Sequence, residues 1–253
     1  MQRYFIKNDQ IEHNEIRMTN PDDVHHIRQV MRMTPGTKIV CTDEHEQAYL
    51  CIIKEITETV VHASVIEMLD NSTELPVEVT IFQGLPKKNK LEFVIQKGTE
   101  LGCAHFELFP AERSIVKWDH KKRIQNTERL RRIAKEASEQ SERRKVPTVE
   151  VFTSLKDILN NHLSYDMMFF AYEEEARTKA FNSLATALHK CNAGMKIGIF
   201  IGPEGGFSNN EITIFKQYGI QPIRLGARIL RTETASIYTL ACISYHFEEM
   251  RWQ

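Results

Sequence analysis

Two short stretches near the end of the 253-residue chain carry the residue types best suited to holding a ligand. The first is Ile201-Gly-Pro-Glu-Gly-Gly-Phe-Ser208, running into Asn209-Asn-Glu211. The second is Leu225-Gly-Ala-Arg-Ile-Leu-Arg-Thr-Glu-Thr-Ala-Ser236. Each follows an apolar run that reads as a strand, and each leads into a helix. Gly202, Gly205, Gly206 and Gly226 permit backbone angles or a close ligand approach that a side chain would block. Pro203 stiffens the first turn, and Ser208 with Glu211 has the spacing of a capping box. Glycine-bearing loops at the carboxyl ends of neighbouring strands are where an open α/β sheet takes its ligand. Neither loop carries a phosphate-binding Gly-x-x-x-x-Gly-Lys-Ser/Thr or a dinucleotide Gly-x-Gly-x-x-Gly. They offer an apolar wall for a flat ligand, Ile229-Leu230 between Arg228 and Arg231, with backbone groups for its polar edge and Glu204 and Glu233 close by. The competing reading is a pair of tight turns with solvated arginines and a salt bridge.

A third stretch, residues 117–145, is rich in Lys and Arg, including Arg123, Arg132 and Arg143. Leu130, Ile133, Ala134 and Ala137 form its buried stripe, so the charges line the outer face. Such a face is either simply solvated or suited to a phosphate backbone. The net charge is −1, so affinity for nucleic acid must come from such local patches. His25 and His26, beside Arg28 and Arg32, offer a second patch. No histidine pair has metal-ligand spacing, so no metal is expected. The five cysteines are scattered, without zinc-type spacing, and read as reduced thiols of a cytoplasmic protein. The N-terminus carries charge too early for a signal peptide, and no apolar run could span a bilayer.

The elements that must position these residues fall into two groups. Residues 1–72 read as a small β-rich barrel or curled sheet, with strands at 3–7, 38–41, 48–56 and 60–68 and a helix over 21–33 capped by Asn20. The polar stretch 69–76, ending in Pro76, marks the boundary. Residues 73–253 then alternate strand and helix. Strands are expected at 77–85, 105–110, 149–152, 166–171, 196–201 and 221–225. Helices are expected at 88–101, 121–142, 178–189, 209–218 and 232–250, with a short one capped by Ser154. That rhythm implies an α/β domain, a mostly parallel sheet covered by helices on both faces. The last helix is apolar nearly all round. It is buried in its own domain or at a subunit interface.

The two loops, Gly202-Pro-Glu-Gly-Gly-Phe-Ser208 with Glu211 and Leu225-Gly-x-Arg-Ile-Leu-Arg-Thr-Glu-Thr-Ala235, resemble the RsmE family of bacterial small-subunit ribosomal RNA methyltransferases, in the SPOUT superfamily. Lys97-Gly-Thr-Glu-Leu-Gly102, Glu112-Arg113-Ser114, Glu136-Ala-Ser-Glu-Gln-Ser141 with Arg143 and Pro147, and Arg3 extend the resemblance over nearly the whole chain. The resemblance implies a PUA-like RNA-binding barrel over 1–72 and a trefoil-knotted SPOUT domain over 73–253. It implies S-adenosylmethionine as cofactor and a homodimer. The implied reaction is methylation of a uridine N3 in 16S rRNA of the assembled small subunit. Cofactor contacts are then expected from Ile201, Gly202, Pro203, Gly205, Leu225, Gly226, Arg228, Ile229, Leu230 and Ala235. Phe170, Ala171 and Tyr172, with Glu173, would close the site. Arg231 is the candidate for holding developing negative charge. Glu204 or Glu233 would orient the base, take its proton, or serve only as a salt-bridge partner. RNA contacts are expected from Arg3, Arg28, Arg32, Arg113, Arg123, Arg132 and Arg143. The competing functions are a SPOUT enzyme acting on another RNA position and a non-catalytic RNA-binding assembly factor.

Overall fold

The computed structural model describes residues 1–70, 72–160, 162–172 and 182–250. The chain packs as two compact units. One comprises Met1–Glu74 with Glu139–Lys145, and the other Leu75–Ser138 with Val146–Gln253.

In the first unit, β1 (Arg3–Phe5) is followed by β2 (Ile11–Glu12), β3 (Glu15–Met18), α1 (Pro21–His25), β4 (Lys38–Thr42), β5 (Ala48–Ile56) and β6 (Val61–Leu69). These strands pair in the order β1-β4-β5-β6-β3-β2, antiparallel except for β1 on β4. Register shifts in the β5–β6 ladder at Leu50/Cys51 and Ile53/Glu55 bend the sheet. Tyr4, Ile16, Met18, Ile27, Ile39, Ile53 and Val61 fill the concave side. Asn20 caps α1 as expected, its side chain accepting from the amides of Asp22 and Asp23. The β2–β3 hairpin was not expected from sequence. His13 and Asn14 both take positive φ (47° and 66°) at its two-residue turn, a geometry that matches the twist of the paired strands.

Residues 139–145 belong to this unit because Arg143 is buried against Glu74. Its Nε donates to Glu74 Oε2 at 3.1 Å and its Nη2 at 2.5 Å, while the Arg144 amide donates to Glu74 Oε1 at 2.9 Å. Arg3 is also buried, donating through Nη1 to Thr42 Oγ1 at 3.1 Å. Burial depresses its guanidinium pKa, an effect that nearby Glu142 and Glu74 partly offset. Arg3 and Arg143 are thus internal ties of the unit, and neither offers its guanidinium to RNA. A charged residue read from sequence as surface is here committed to an internal carboxylate or hydroxyl.

The second unit runs β7 (Glu78–Gly84), α2 (Lys90–Glu100), β8 (His105–Phe109), α3 (His120–Gln140), β9 (Thr148–Val151), α4 (Leu155–Leu159) and β10 (Met167–Ala171). It continues with α5 (Leu184–Leu188), β11 (Lys196–Ile201), α6 (Asn209–Gln217), β12 (Gln221–Ile223) and α7 (Thr232–Ser244). The sheet order is β12-β10-β11-β7-β8-β9 and every pairing is parallel. Alternate residues along a strand serve opposite faces. Ile81, Ile199 and Phe169 pack with α2, α3, α5 and α7, whereas Phe82, Phe200 and Phe170 pack with α4 and α6. Of the helix expected over 178–189, the described part is α5; residues 178–181, like Glu173, lie outside the described residues. Among the described residues, no helix is long and apolar enough to cross a membrane, and no group of three or more potential metal ligands occurs. All five cysteines are free thiols.

Glu107 on β8 lies beside Glu150 in the β8–β9 register, with the Tyr165 hydroxyl 3.3 Å away. Burial raises its carboxyl pKa to about 7 from 4.5, with the Glu150 charge adding to the rise and the Tyr165 hydroxyl opposing it. The folded state therefore holds a proton that the unfolded chain releases, and stability falls as pH rises from about 4.5 to about 7. The loss approaches about 3 kcal/mol. Glu107→Gln should raise the thermal midpoint at pH 8, and the gain should shrink towards zero near pH 4.5. A calorimetric pH series showing the same gain at both ends would contradict this.

Candidate functional site

A cavity of about 450 Å³ lies at the carboxyl ends of β10, β11 and β12. The chain leaves β11 through Gly202 and turns at once. Gly206 takes φ +65° and donates its amide to Pro203 O at 2.9 Å. A Cβ on Gly202 would sit 3.2 Å from the Gly206 backbone, so the turn closes tightly only around glycine. Ser208 then opens α6 with the expected capping box: its Oγ accepts from the Glu211 amide, and its amide donates to Glu211 Oε2. After β12 the chain passes through Gly226 at φ +77° and enters α7 at Thr232.

These two loops are joined from below. Thr232 Oγ1 donates to Gly202 O at 2.6 Å and accepts from Gln83 Nε2 at 2.9 Å. Ser236 Oγ donates to Gln83 Oε1 at 2.6 Å. Gln83 is the penultimate residue of β7 and has no solvent exposure. A fully bonded buried amide fixes its neighbours more firmly than an apolar contact of the same size.

The apolar walls come from Ala171, Tyr172, Ile201, Pro203, Leu225, Ile229, Leu230 and Ala235, with Gly202 and Gly226 in the backbone. Arg228, Arg231 and Glu204 also line it. The structure thus brings most of the expected residues together. Phe170 does not reach the cavity: it is fully buried, stacked on Phe215 at 5.0 Å and edge-on to Phe207. Gly205 is absent from the lining because it faces Arg113, whose Nη1 donates to Gly205 O at 3.0 Å. Glu233 stands behind the wall. Arg113 is part of the lining, whereas the other exposed or half-exposed candidates for RNA, Arg28, Arg32, Arg123 and Arg132, lie elsewhere.

Lys90, in sequence one basic residue among several, organises the acids. Its Nζ is 3.0 Å from Glu204 Oε1 and 3.2 Å from Glu233 Oε2. The Lys87 amide donates to Glu204 Oε1 at 3.1 Å. Hydrogen bonding to Glu204 raises the Lys90 ammonium pKa, although desolvation opposes it and Glu233 adds to it. For Glu204, burial alone would push the carboxyl up. Its own backbone amide, Lys90 and the Lys87 amide together hold it below the usual range. A carboxylate held ionised by such partners is a weak proton acceptor, so Glu204 reads as a salt-bridge partner rather than a general base, and Glu233 shares the same lysine. Thr232, Arg224, Gly206, Phe207, Asn209 and Ile212 complete the lining. Three lysines at 87, 88 and 90, directly after a central strand, were the sequence signal for Lys90. Among the described residues the charged lining is cationic on balance: Lys90, Arg113, Arg224, Arg228 and Arg231 against Glu204. The apolar walls therefore suit a flat ligand, and the arginines an anionic group beside it.

Residues 73–244 match the family model for the RNA methyltransferase domain, and residues 19–66 match that for the RNA methyltransferase PUA domain. The chain belongs to this RNA methyltransferase family. It is 41% identical, over 256 residues and 99% of both chains, to the ribosomal RNA small subunit methyltransferase E of Bacillus subtilis (strain 168). A crystal structure of a hypothetical protein superposes with a TM-score of 0.91 at 40% identity, covering 99% of this chain and 100% of that one. A ribosomal RNA small subunit methyltransferase E from Neisseria gonorrhoeae, bound to S-adenosyl methionine, gives a TM-score of 0.83 at 24% identity over 98% of each chain, a likeness of fold. The fold of this family member agrees with the α/β class expected: a parallel sheet covered by helices, behind an N-terminal PUA domain.

Lys90→Met should leave the two carboxylates without their shared counter-charge and lower the thermal midpoint by about 4–8 °C, from a loss of about 2 kcal/mol. Lys90→Arg should recover part of that loss. An unchanged midpoint in Lys90→Met would show that the ion triad does not hold the two loops together.

Proposed function

We propose that this chain transfers a methyl group from S-adenosylmethionine to N3 of one uridine of 16S rRNA, within the small ribosomal subunit, in the cytoplasm. The observation that carries the proposal is the cavity at the β10–β12 ends of an RNA methyltransferase family member, walled by apolar residues and rimmed by arginines. A flat adenine needs apolar walls, and Ile201, Leu225, Leu230 and Ala235 are disposed to supply them. The tight Gly202 turn leaves backbone close to the cavity. Gly226, with φ +77° and, among the described residues, only the Tyr238 hydroxyl within 4 Å of where a Cβ would stand (3.8 Å), keeps the second wall open. These features fit the cofactor.

When bound, the cofactor supplies an electrophilic methyl group on its sulfonium. The chain's task is to hold N3 in line with that methyl group and to stabilise the base as its N3 proton leaves. Arg231, exposed at the start of α7 and part of the lining, is the group we assign to the developing negative charge. Glu204 and Glu233, held on Lys90, position the loops and are not assigned the proton. Arg28, Arg32, Arg113, Arg123 and Arg132 remain the candidates for phosphate contacts. Homodimerisation is supported by large apolar side chains left open on α7 and around it: Tyr238 on the helix is 37% exposed, Tyr245 just after it 59%, and Ile229 in the loop before it 66%. Such a patch marks a protein–protein surface. A trefoil knot in the second unit belongs to the same proposal, on the strength of the resemblance.

The decisive test is mass mapping of 16S rRNA from a strain lacking this gene. A uridine that retains its N3 methyl in that strain would refute the reading. Two variants probe the site. Gly226→Val forces a β-branched residue to a φ it cannot adopt without strain. It should abolish calorimetrically detectable cofactor binding with little change in circular dichroism. Arg231→Ala should bind cofactor within about threefold of the parent yet turn over at least about tenfold more slowly. Equal turnover would remove Arg231 from the chemistry.

A further inference from the structure

A second cavity, of about 270 Å³, opens at the carboxyl ends of β7, β8 and β9, on the other half of the same sheet edge. Leu85, Pro110 and Phe152 follow directly on those three strands. Trp118 forms a further wall and Lys117 and Arg123 supply the charge. Among the described residues no carboxylate lines this cavity, and neither Lys117 nor Arg123 makes an ion pair. The segment 110–119, which carries Lys117 and Trp118, is pinned in place. The Glu112 amide donates to Glu211 Oε1 at 2.9 Å, Arg113 donates to Gly205 O, and Ser114 Oγ donates to Leu85 O at 3.1 Å. One loop therefore places Arg113 in the first cavity and Lys117 and Trp118 in the second.

An aromatic slot with two cations and no acid matches one chemical class closely: a nucleobase with its phosphate. A base can be methylated at N3 only after it has left its stack. Its neighbour then loses a stacking partner, and proteins that read single-stranded RNA take such bases onto aromatic rings. The cavity has room for a base and not for a longer stretch of strand. We infer that it receives an unstacked nucleotide flanking the methylated uridine, its base against Trp118 and Phe152 and its phosphate on Lys117 and Arg123. The inference rests on the RNA methyltransferase reading above.

The chain has two tryptophans, at 118 and 252, so Trp252→Phe leaves Trp118 as the single reporter. Titrating this full-length protein with single-stranded hexauridylate should quench the indole emission in a saturable manner. Lys117→Gln combined with Arg123→Gln should flatten the log–log salt dependence of that binding by about 1.4. In methyl transfer to small subunits lacking the modification, Trp118→Ala should raise KM about tenfold with kcat within about twofold and cofactor affinity unchanged. Trp118→Phe should restore most of the lost affinity, which separates stacking from simple loss of packing. Absence of quenching, an unchanged KM in Trp118→Ala, or equal quenching by an acidic peptide would overturn the inference while the methyltransferase reading stood. Quenching without methyl transfer by the parent chain would instead overturn that reading and leave the base site in place.

Discussion

A carboxamide at the end of β7, with no access to water, has to find partners inside the protein or cost the fold about 1–3 kcal/mol. Gln83 finds them in the backbone of Gly84 and in two hydroxyls of α7, and through Thr232 it reaches Gly202. The bonds therefore decide where the last helix starts and where the strand β11 lets go of the sheet. Every residue lining the first cavity from the 202–207 turn or from α7 takes its position from this contact. A leucine at 83 would fill the same space and specify none of it. A polar residue in an otherwise apolar strand is a local violation of the pattern, and such violations tend to fall where a site is built.

Around that contact the sheet supplies rigidity and the loops supply charge. Phe82, Phe170, Phe200 and Phe215 pack against one another on one face of the sheet, leaving the strand ends little freedom to shift. The cationic rim would be self-repelling if it stood alone. Lys90 tempers this by spending its charge on Glu204 and Glu233, so the other cations of the lining are arginines, whose planar, weakly hydrated heads suit phosphate and base edges.

Much of this was legible in the sequence because the signals were local. Asn20, Ser154 and Ser208 cap helices through hydroxyl or amide oxygens, and the apolar runs at 196–201 and 166–171 gave the central strands. The cavity loops stood out because glycine, proline and arginine occur together there. What escaped was set by tertiary context. Phe169 and Phe170 sit in a strand buried on both faces, where apolar residues do not alternate with polar ones, so no pattern tells which of them points to the loops. Arg3 and Arg143 look like surface charges until Thr42 and Glu74 are brought to them. The short β2–β3 hairpin has only two residues on one side, too few for a period. Lys90 counted as one basic residue among several until two carboxylates from distant loops converged on it.

The pairing of β7 with β11 has a kinetic side. Gln83 meets Ile201 across 118 residues, Thr232 across 149 and Ser236 across 153. Contacts so distant along the chain are slow to form, because the entropy of closing the intervening loops is lost before they give anything back. The hairpins of the first unit close over a few residues and carry no such delay. The ligand cavity is therefore among the last features of its domain to appear during synthesis. A nascent chain that has not yet emitted residue 232 holds all six strands of the second sheet but lacks the helix that completes the site.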